Sequence, residues 1–333
     1  MDVYFTFDYE LYLGSNTGTV DKCLITPTNK IVAVLNKKSV RATFFVDVLY
    51  LMKLKEYSNS YNNLAVDYNK IITQLKELST KGHSIQLHLH PQWYYSTYNG
   101  KEWILDFSHY KLSDCPMSDV HNMFEKGISL LESITTKKVF AFRAGGYSIQ
   151  SLADYVNIFK QYGILVDSSA LTGLKSISRF QVYNFTQVKA NRIYRFNGDM
   201  QVPTAVGIYE LPITTKECNN IKHIVEKIKM RSRGIIHYGD GVSVESLSPL
   251  VLNIWSKIKR YSMPLQLAAT FDGDRGYWLL PIYKKLQKRK SKIMTIIGHP
   301  KSLTNYSLTY LENFLKESYK DVTFSTVDDI IKE

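Results

Sequence analysis

The chain has 333 residues, of which 44% are hydrophobic, 22% charged and 13% aromatic, the proportions of a globular protein rather than of a disordered or low-complexity one. A folded chain of this length hides roughly 75% of the surface its unfolded form exposes, and no run approaches the ~18 consecutive apolar residues of a membrane-spanning helix. The formal net charge of +12 comes without a zinc-finger or RNA-binding signature, which argues against nucleic acid and leaves a solvated basic surface, an anionic substrate or the inner membrane surface to account for it.

Met1 to Asp8 reads as a strand and lacks the basic head, apolar run and small-residue cleavage site of a secretory signal. Cys23, Cys115 and Cys218 are odd in number and widely spaced, which favours free thiols in a reducing compartment and predicts a cytoplasmic protein. Along the chain, period-two or apolar runs predict strands at Val3 to Asp8, Arg41 to Val46, Ser84 to His90, Val139 to Arg143 and Ile164 to Asp167. Further strands are predicted at Ile208 to Leu211, Gly234 to Tyr238, Leu265 to Phe271, Lys292 to Ile297 and Asp321 to Phe324. Helical periodicity falls between many of them, at Tyr68 to Thr80, Met117 to Ile134, Ile149 to Tyr162, Ile221 to Met230 and Ser307 to Tyr319.

This alternation predicts an α/β protein with a mainly parallel sheet and helices outside it. Such a sheet can be open and doubly wound or closed into a barrel, and after the first strand the text TFDYELYLG lacks the Gly-rich phosphate fingerprint of a dinucleotide-binding open sheet, which weakens the open form. No stretch has a linker's composition and no repeat has a fixed period. The expected organisation is one barrel domain over residues 1–333, with residues 168–203 forming a long excursion over its mouth.

Ionisable residues collect at the C-terminal ends of the predicted strands, where a βα barrel builds its active site. Asp8 and Glu10 end the first strand, His88 and His90 the third, Arg143 the fourth and Asp167 the fifth, and His299 follows the strand Lys292 to Ile297. Side chains two apart on a strand share a face, so QLHLHP presents two imidazoles together. A carboxylate from Asp8 or Glu10 would complete a two-histidine, one-carboxylate set of the kind that holds zinc with a position left for water. His83 reads as structural. Arg143 in AFRAGGY ends an apolar run and should face a carboxylate, with Asp8 the obvious partner. Gly145 and Gly146 let the backbone approach a ligand closely.

TFDYE, RATFF, GHSIQLHLHP, FRAGGYSI, LVDSSA, YELPIT and IIGHP, in that order, resemble the polysaccharide deacetylases, the chitin deacetylase-like carbohydrate esterases, from Val3 to about Ser302. The resemblance implies a distorted (β/α) barrel, one divalent metal ion, zinc, and hydrolysis of an N-acyl or O-acyl group from a sugar. It implies Asp8 as general base, Arg143 as the partner of that base, His299 as general acid and the backbone N–H of Gly146, with Tyr147 beside it, at the oxyanion. His88 matches the first histidine of the family's metal motif. Two ligands depart from the pattern. Position 9 is Tyr, so the carboxylate ligand is assigned to Glu10, and the second histidine would fall on Gln92, so His90 takes its place. A His-x-His-Pro form is similar to a divergent branch acting on surface-polysaccharide precursors. Asp167 matches an Asp of the following motif loosely, and where the family carries a Trp lining the acetyl pocket this chain has Ser168 and Ser169, so no particular acyl size is implied.

The expected function is therefore metal-dependent removal of an N-acetyl or other acyl group from a sugar precursor of a cell-surface polysaccharide. Alternatives are an amidase or deformylase on a non-polymeric substrate, a non-haem iron oxygenase using the same ligand types, and an inactive glycan-binding homologue. The turns HYGDGV and FDGDRG place Asp240 and Asp272 at the rim as candidate sugar-binding residues. The basic stretches Lys216 to Arg233 and Lys284 to Lys292 predict a phosphorylated substrate, nucleotide-linked or lipid-linked, with peripheral contact at the inner membrane surface in the second case.

Overall fold

In the first strand, β1 (Asp2–Tyr9), Val3, Phe5, Phe7 and Tyr9 all join the large hydrophobic core, whereas Tyr4, Thr6 and Asp8 alternate with them on the other face. The same period of two recurs in β2 (Thr43–Asp47), where Phe44 and Val46 face that core and Phe45 the opposite side, and in β3 (Ser84–Leu89), where Ile85, Leu87 and Leu89 leave Ser84, Gln86 and His88 for the opposite side. The computed structural model describes residues 1–178, 180–188, 192–243 and 265–332.

These strands belong to a ten-stranded sheet. Its other members are β4 (Ala141–Ala144), β5 (Val166–Asp167), β6 (Tyr194–Phe196), β7 (Pro203–Thr204), β8 (Ile208–Glu210), β11 (Ile293–Gly298) and β12 (Thr323–Ser325); β9 (Thr215–Cys218) and β10 (Leu265–Ala268) form a separate antiparallel pair. The order is β7-β6-β8-β5-β4-β3-β2-β1-β11, with β12 also on β1. Every pairing from β8 to β11 is parallel, and only β6 and β7 run against their neighbours. Past β8 the chain reaches the far edge through single bonds, Thr214 N–H to Thr295 O and Ile297 N–H to Ala269 O, so the sheet curls into a distorted (β/α) barrel.

Helices cover the outside: α1 (Thr26–Asn36), α2 (Val48–Tyr57), α3 (Asn62–Thr80), α4 (Met117–Thr135), α5 (Val156–Gln161), α6 (Asn220–Ser232), α7 (Leu279–Lys288) and α8 (Asn305–Ser318). Inside, Tyr4, Phe45, Ala141, Val166, Leu211 and Ile293 make a small apolar plug, and the inward residues nearer the C-terminal strand ends are polar. Among the described residues no helix is long and apolar enough to cross a membrane.

Three expectations need correction. Gly234 to Tyr238 is not a strand; it contributes one bridge, His237 to Thr304, and Ile236 is 60% exposed, so its apolar residues find no sheet to bury them. Leu265 to Ala268 pairs with β9 rather than joining the main sheet. The helix expected from Ile149 begins at Val156, after a single 3₁₀ turn. The excursion over residues 168–203 carries a hairpin, Lys175–Ile177 with Val182–Asn184, whose tip residues Phe180 and Gln181 line the cleft at the mouth, and it then supplies β6 to the sheet.

Candidate active site

The inward faces of adjacent strands are aligned by the sheet register. Tyr9 lies opposite Val46, so one further step brings Glu10 level with Asp47, and Asp47 is paired with His88 and His88 with Arg143. Asp8, Glu10, His88 and His90, with His299 beyond the end of β11, line a cleft of about 640 Å³, which Asp47 and Arg143 do not line.

One cluster is a donor set. Glu10 Oε2 is 2.5 Å from His90 Nε2 and 3.3 Å from His88 Nε2, and donor atoms of the three residues lie within 4.8 Å of one another. His88 donates from Nδ1 to the Arg143 carbonyl at 2.8 Å, which fixes the tautomer and leaves an Nε2 lone pair aimed at a carboxylate. Two lone pairs facing each other in a buried site call for a cation between them, either a proton or a metal ion. Gln92 lies 3.4 Å from His90 Nδ1 and its Oε1 is buried without a hydrogen-bond partner among the described residues. With the amide turned over, a choice set by the network rather than by the atoms themselves, Oε1 accepts from Nδ1–H and the Nε2 of His90 is presented like that of His88. The residues present fit a divalent ion held by two nitrogens and one carboxylate, the ligand chemistry of zinc.

Burial opposes ionisation of Glu10, but Lys301, His90 and His88 override it and hold the carboxyl well below the usual range; Lys301 Nζ is 2.9 Å from Glu10 Oε1. Burial also lowers His88, and Asp8 and Glu10 more than reverse this, so its affinity for protons is raised.

A second cluster centres on Arg143, which is fully buried. Its guanidinium donates to Asp8 Oδ1 at 2.5 Å, Thr6 Oγ1 at 2.9 Å, Ser168 Oγ at 2.9 Å and the Ser168 carbonyl at 2.8 Å, with the Phe45 ring 4.2 Å away. The expected pair with Asp8 is formed. Burial alone would push Asp8 up, and Arg143, with His88 and His299, holds it well below the usual carboxylate range. The other Asp8 oxygen is 3.5 Å from His299 Nε2. His299 donates from Nδ1 to Asp272 at 2.7 Å; burial disfavours its charge, but Asp272 and Asp8 raise it to about 10.

Gly146 and Tyr147 both line the cleft and both have positive φ, 57° and 61°. The strained turn is tied to the excursion, since Ala144 N–H donates to Ser169 Oγ and Ser169 in turn donates to Asp167. Of the loosely matched Asp167 and the candidate sugar-binding residues Asp240 and Asp272, only Asp272 lines the cleft. Asp167 is fully buried behind Arg143, hydrogen-bonded to Ser169 and Glu210 and raised by that burial, so it does not reach the cleft. Asp240 turns to the segment after β1, accepting from Thr19 N–H, Thr19 Oγ1 and Cys23 Sγ. Asp272 lines the cleft, but its carboxylate is engaged by His299. His83 is structural, accepting from Ala42 N–H at 3.1 Å.

Sequence reasoning passed over Lys301 and Asp47, and met Gln92, Ser168 and Ser169 only as departures from the family's pattern. The rule that strand ends carry the chemistry would have found Asp47, which closes β2, and Lys301 is two residues past His299; nothing local announces that Ser168 and Ser169 hold Arg143 and the Gly146 turn.

Residues 2–166 match the family model of the polysaccharide deacetylases. No curated protein sequence matches the chain. Among solved structures it is similar to a candidate polysaccharide deacetylase from Mycobacterium smegmatis, with TM-score 0.54 at 13% identity over 99% of this chain and 88% of that one. It is also similar to the allantoinase PuuE, with TM-score 0.53 at 11% identity over 99% and 89%. A GH57-type branching enzyme from Pyrococcus horikoshii gives TM-score 0.53 at 8% identity over 100% and 70%. At these identities the likenesses establish the fold.

Proposed function

From the premise that residues 2–166 are a polysaccharide deacetylase domain, we propose that this protein is a metal-dependent hydrolase removing an N-acetyl or other small acyl group from a sugar. The observation that carries the reading is the convergence of Glu10, His88 and His90 within 4.8 Å, beside the Asp8–Arg143 and His299–Asp272 pairs on one cleft floor. A bound zinc ion would supply a polarised acyl carbonyl and a water acidified towards a pKa of about 7. Glu10, His88 and His90 would hold it.

The chain's own residues supply the proton steps. Asp8, kept ionised by Arg143 and with one oxygen turned toward the cleft, takes a proton from the attacking water. Gly146, on its left-handed turn at the cleft wall, offers a backbone N–H to the developing oxyanion. His299 is kept protonated by Asp272 and donates from Nε2 to the departing amine. Such acid–base steps contribute typically 10²–10⁴-fold.

The substrate in this reading is a precursor of a cell-surface polysaccharide carrying phosphate, nucleotide-linked or lipid-linked. Its support is the basic side of the cleft, where Lys227, Arg231 and Arg275 are lining residues and only Lys227 has an acidic partner within 4.0 Å among the described residues, Asp274. The second basic stretch lies away from the cleft. The experiment is mass spectrometry of acetylated nucleotide-sugars, lipid-linked sugars and neutral oligosaccharides after incubation with zinc-loaded protein. A product lighter by one acetyl group, favoured for the phosphorylated substrates, is expected. Turnover of non-sugar amides alone, or binding without turnover, would overturn the reading.

A further inference from the structure

Asp47 takes part in none of the steps above, although it lies between two of the groups that perform them. It closes β2, is paired with His88 on β3, and is level with Glu10 at the end of β1. Phe45, two residues earlier, faces the barrel interior, so the pleat turns Asp47 the same way. The side chain is 2% exposed.

Asp47 occupies the N-cap position of α2, where an aspartate ordinarily accepts from the first helical N–H groups. It makes no such cap; the backbone of His90 is the group that favours its charge by hydrogen bonding, and no side chain among the described residues bonds either oxygen. A buried carboxylate without a matching charge is costly, so capping does not account for the residue. The charges around the cleft floor show what is missing. Asp8 is matched by Arg143, Glu10 by Lys301 and Asp272 by His299; among the described residues no cation forms an ion pair with Asp47. The groups that exert a charge on it are His90, His88 and Glu10. Its oxygens are not among the donor atoms that lie within 4.8 Å of one another, so it is no direct member of that set.

We infer that Asp47 is the outer carboxylate of the cation site: it supplies the unmatched negative charge that draws a divalent ion to Glu10, His88 and His90, whose own carboxylate is already neutralised by Lys301. This rests on the metal-site reading given above. It assigns Asp47 to the affinity of the site rather than to proton transfer, as a positioning residue and not a catalytic one.

The test compares wild type, Asp47→Asn and Asp47→Ser, all stripped of metal, in zinc titrations against a chromophoric chelator and in thermal melts at pH 8. Asparagine and serine both retain a capping side chain without the charge. Loss of an outer partner typically weakens metal affinity 10–100-fold, and both variants should fall in that range. In metal-free protein the same substitutions remove an unmatched buried charge and should raise the melting temperature by about 2 °C. Unchanged zinc affinity in both variants overturns the inference, as does a lower metal-free melting temperature in both, which would show that the carboxylate is matched in the folded protein. Zinc binding by wild type with unaffected variants sinks this inference alone; zinc binding with no deacetylation sinks only the proposed function; a wild type that deacetylates and binds no zinc removes the metal site and this role with it.

Discussion

Replacing Arg143 by methionine tests the second cluster, because it removes four hydrogen bonds and the only cation within 4.0 Å of Asp8 Oδ1 among the described residues. The side chain is fully buried and Asp8 is 3% exposed, so water cannot replace the lost partner. Stripping one member from a buried pair costs about 3–5 kcal/mol, a large share of the ~5–15 kcal/mol that holds a typical domain together. Removing the second charge as well, in Asp8→Asn/Arg143→Met, should recover about 2–3 kcal/mol of that cost as coupling between the two positions. Urea unfolding of the four proteins in the presence of chelator, at pH 7.5, measures the cycle. The deficit of Arg143→Met should shrink on acidification as the stranded Asp8 carboxyl takes up a proton. Wild-type Asp8, held low, contributes its stability above the unfolded carboxyl range and loses it only as pH falls further. Zinc content should survive the substitution, because it is the backbone carbonyl of residue 143 that holds His88. Additive costs with no coupling, or loss of zinc from a folded Arg143→Met protein, would refute the separation between the base and the ligand set.

Three further outcomes follow from the same geometry. Elemental analysis should find the metal lost from His88→Ala, His90→Ala and Glu10→Gln but retained by an inactive Asp8→Asn; retention in the first three would dissolve the donor set. His299 is raised to about 10 by Asp272 and Asp8 against the cost of burial, so kcat/KM should fall only as pH rises through that range, and Asp272→Asn should move the alkaline limb toward neutral pH; a limb that stays put would remove His299 as the acid. Asp240→Ala should lower the melting temperature and leave KM unchanged, since Asp240 holds Thr19 and Cys23 rather than sugar; a raised KM with unchanged stability would return it to the substrate.

What the sequence made legible was whatever a period of two and the strand-end rule can express. Val3, Phe5 and Phe7 against Thr6 and Asp8 mark both faces of β1, and the inward rows of β1 and β3 then deliver Asp8, Glu10, His88 and His90 to one rim. Elements whose burial is not periodic escaped. In VLYLMKLKEY the helix α2 follows β2 with no breaker and buries Val48, Leu49, Tyr50 and Leu51 in succession, a run that periodicity cannot tell from more strand. Gly234 to Tyr238 failed the opposite way, because apolar residues alone do not supply a neighbouring edge. The wiring of the site was the least legible part. Arg143 is held by Ser168, 25 residues on, and Asp8 by Arg143, 135 residues on, and only the folded register joins them.

The register also explains why the ligands stand where they do. Position 9 is on the outer face of β1, where Tyr9 is buried and donates from its hydroxyl to Gln74 at 2.8 Å; a carboxylate there would enter the layer between sheet and helices. Glu10 is the next residue on the inward face, two beyond Asp8. His90 likewise is two beyond His88, while Gln92 has entered the short helix Gln92–Tyr95 that follows the strand and meets His90 from behind. Both departures from the family pattern thus replace a spacing by an i, i+2 pair, one on β1 and one on β3, the two parallel strands that flank β2. A donor set carried on the pleat of paired strands is held by the ladder itself, which positions it more rigidly than a loop would. The hairpin-tip residues Phe180 and Gln181 and the Gly146 turn line the same cleft.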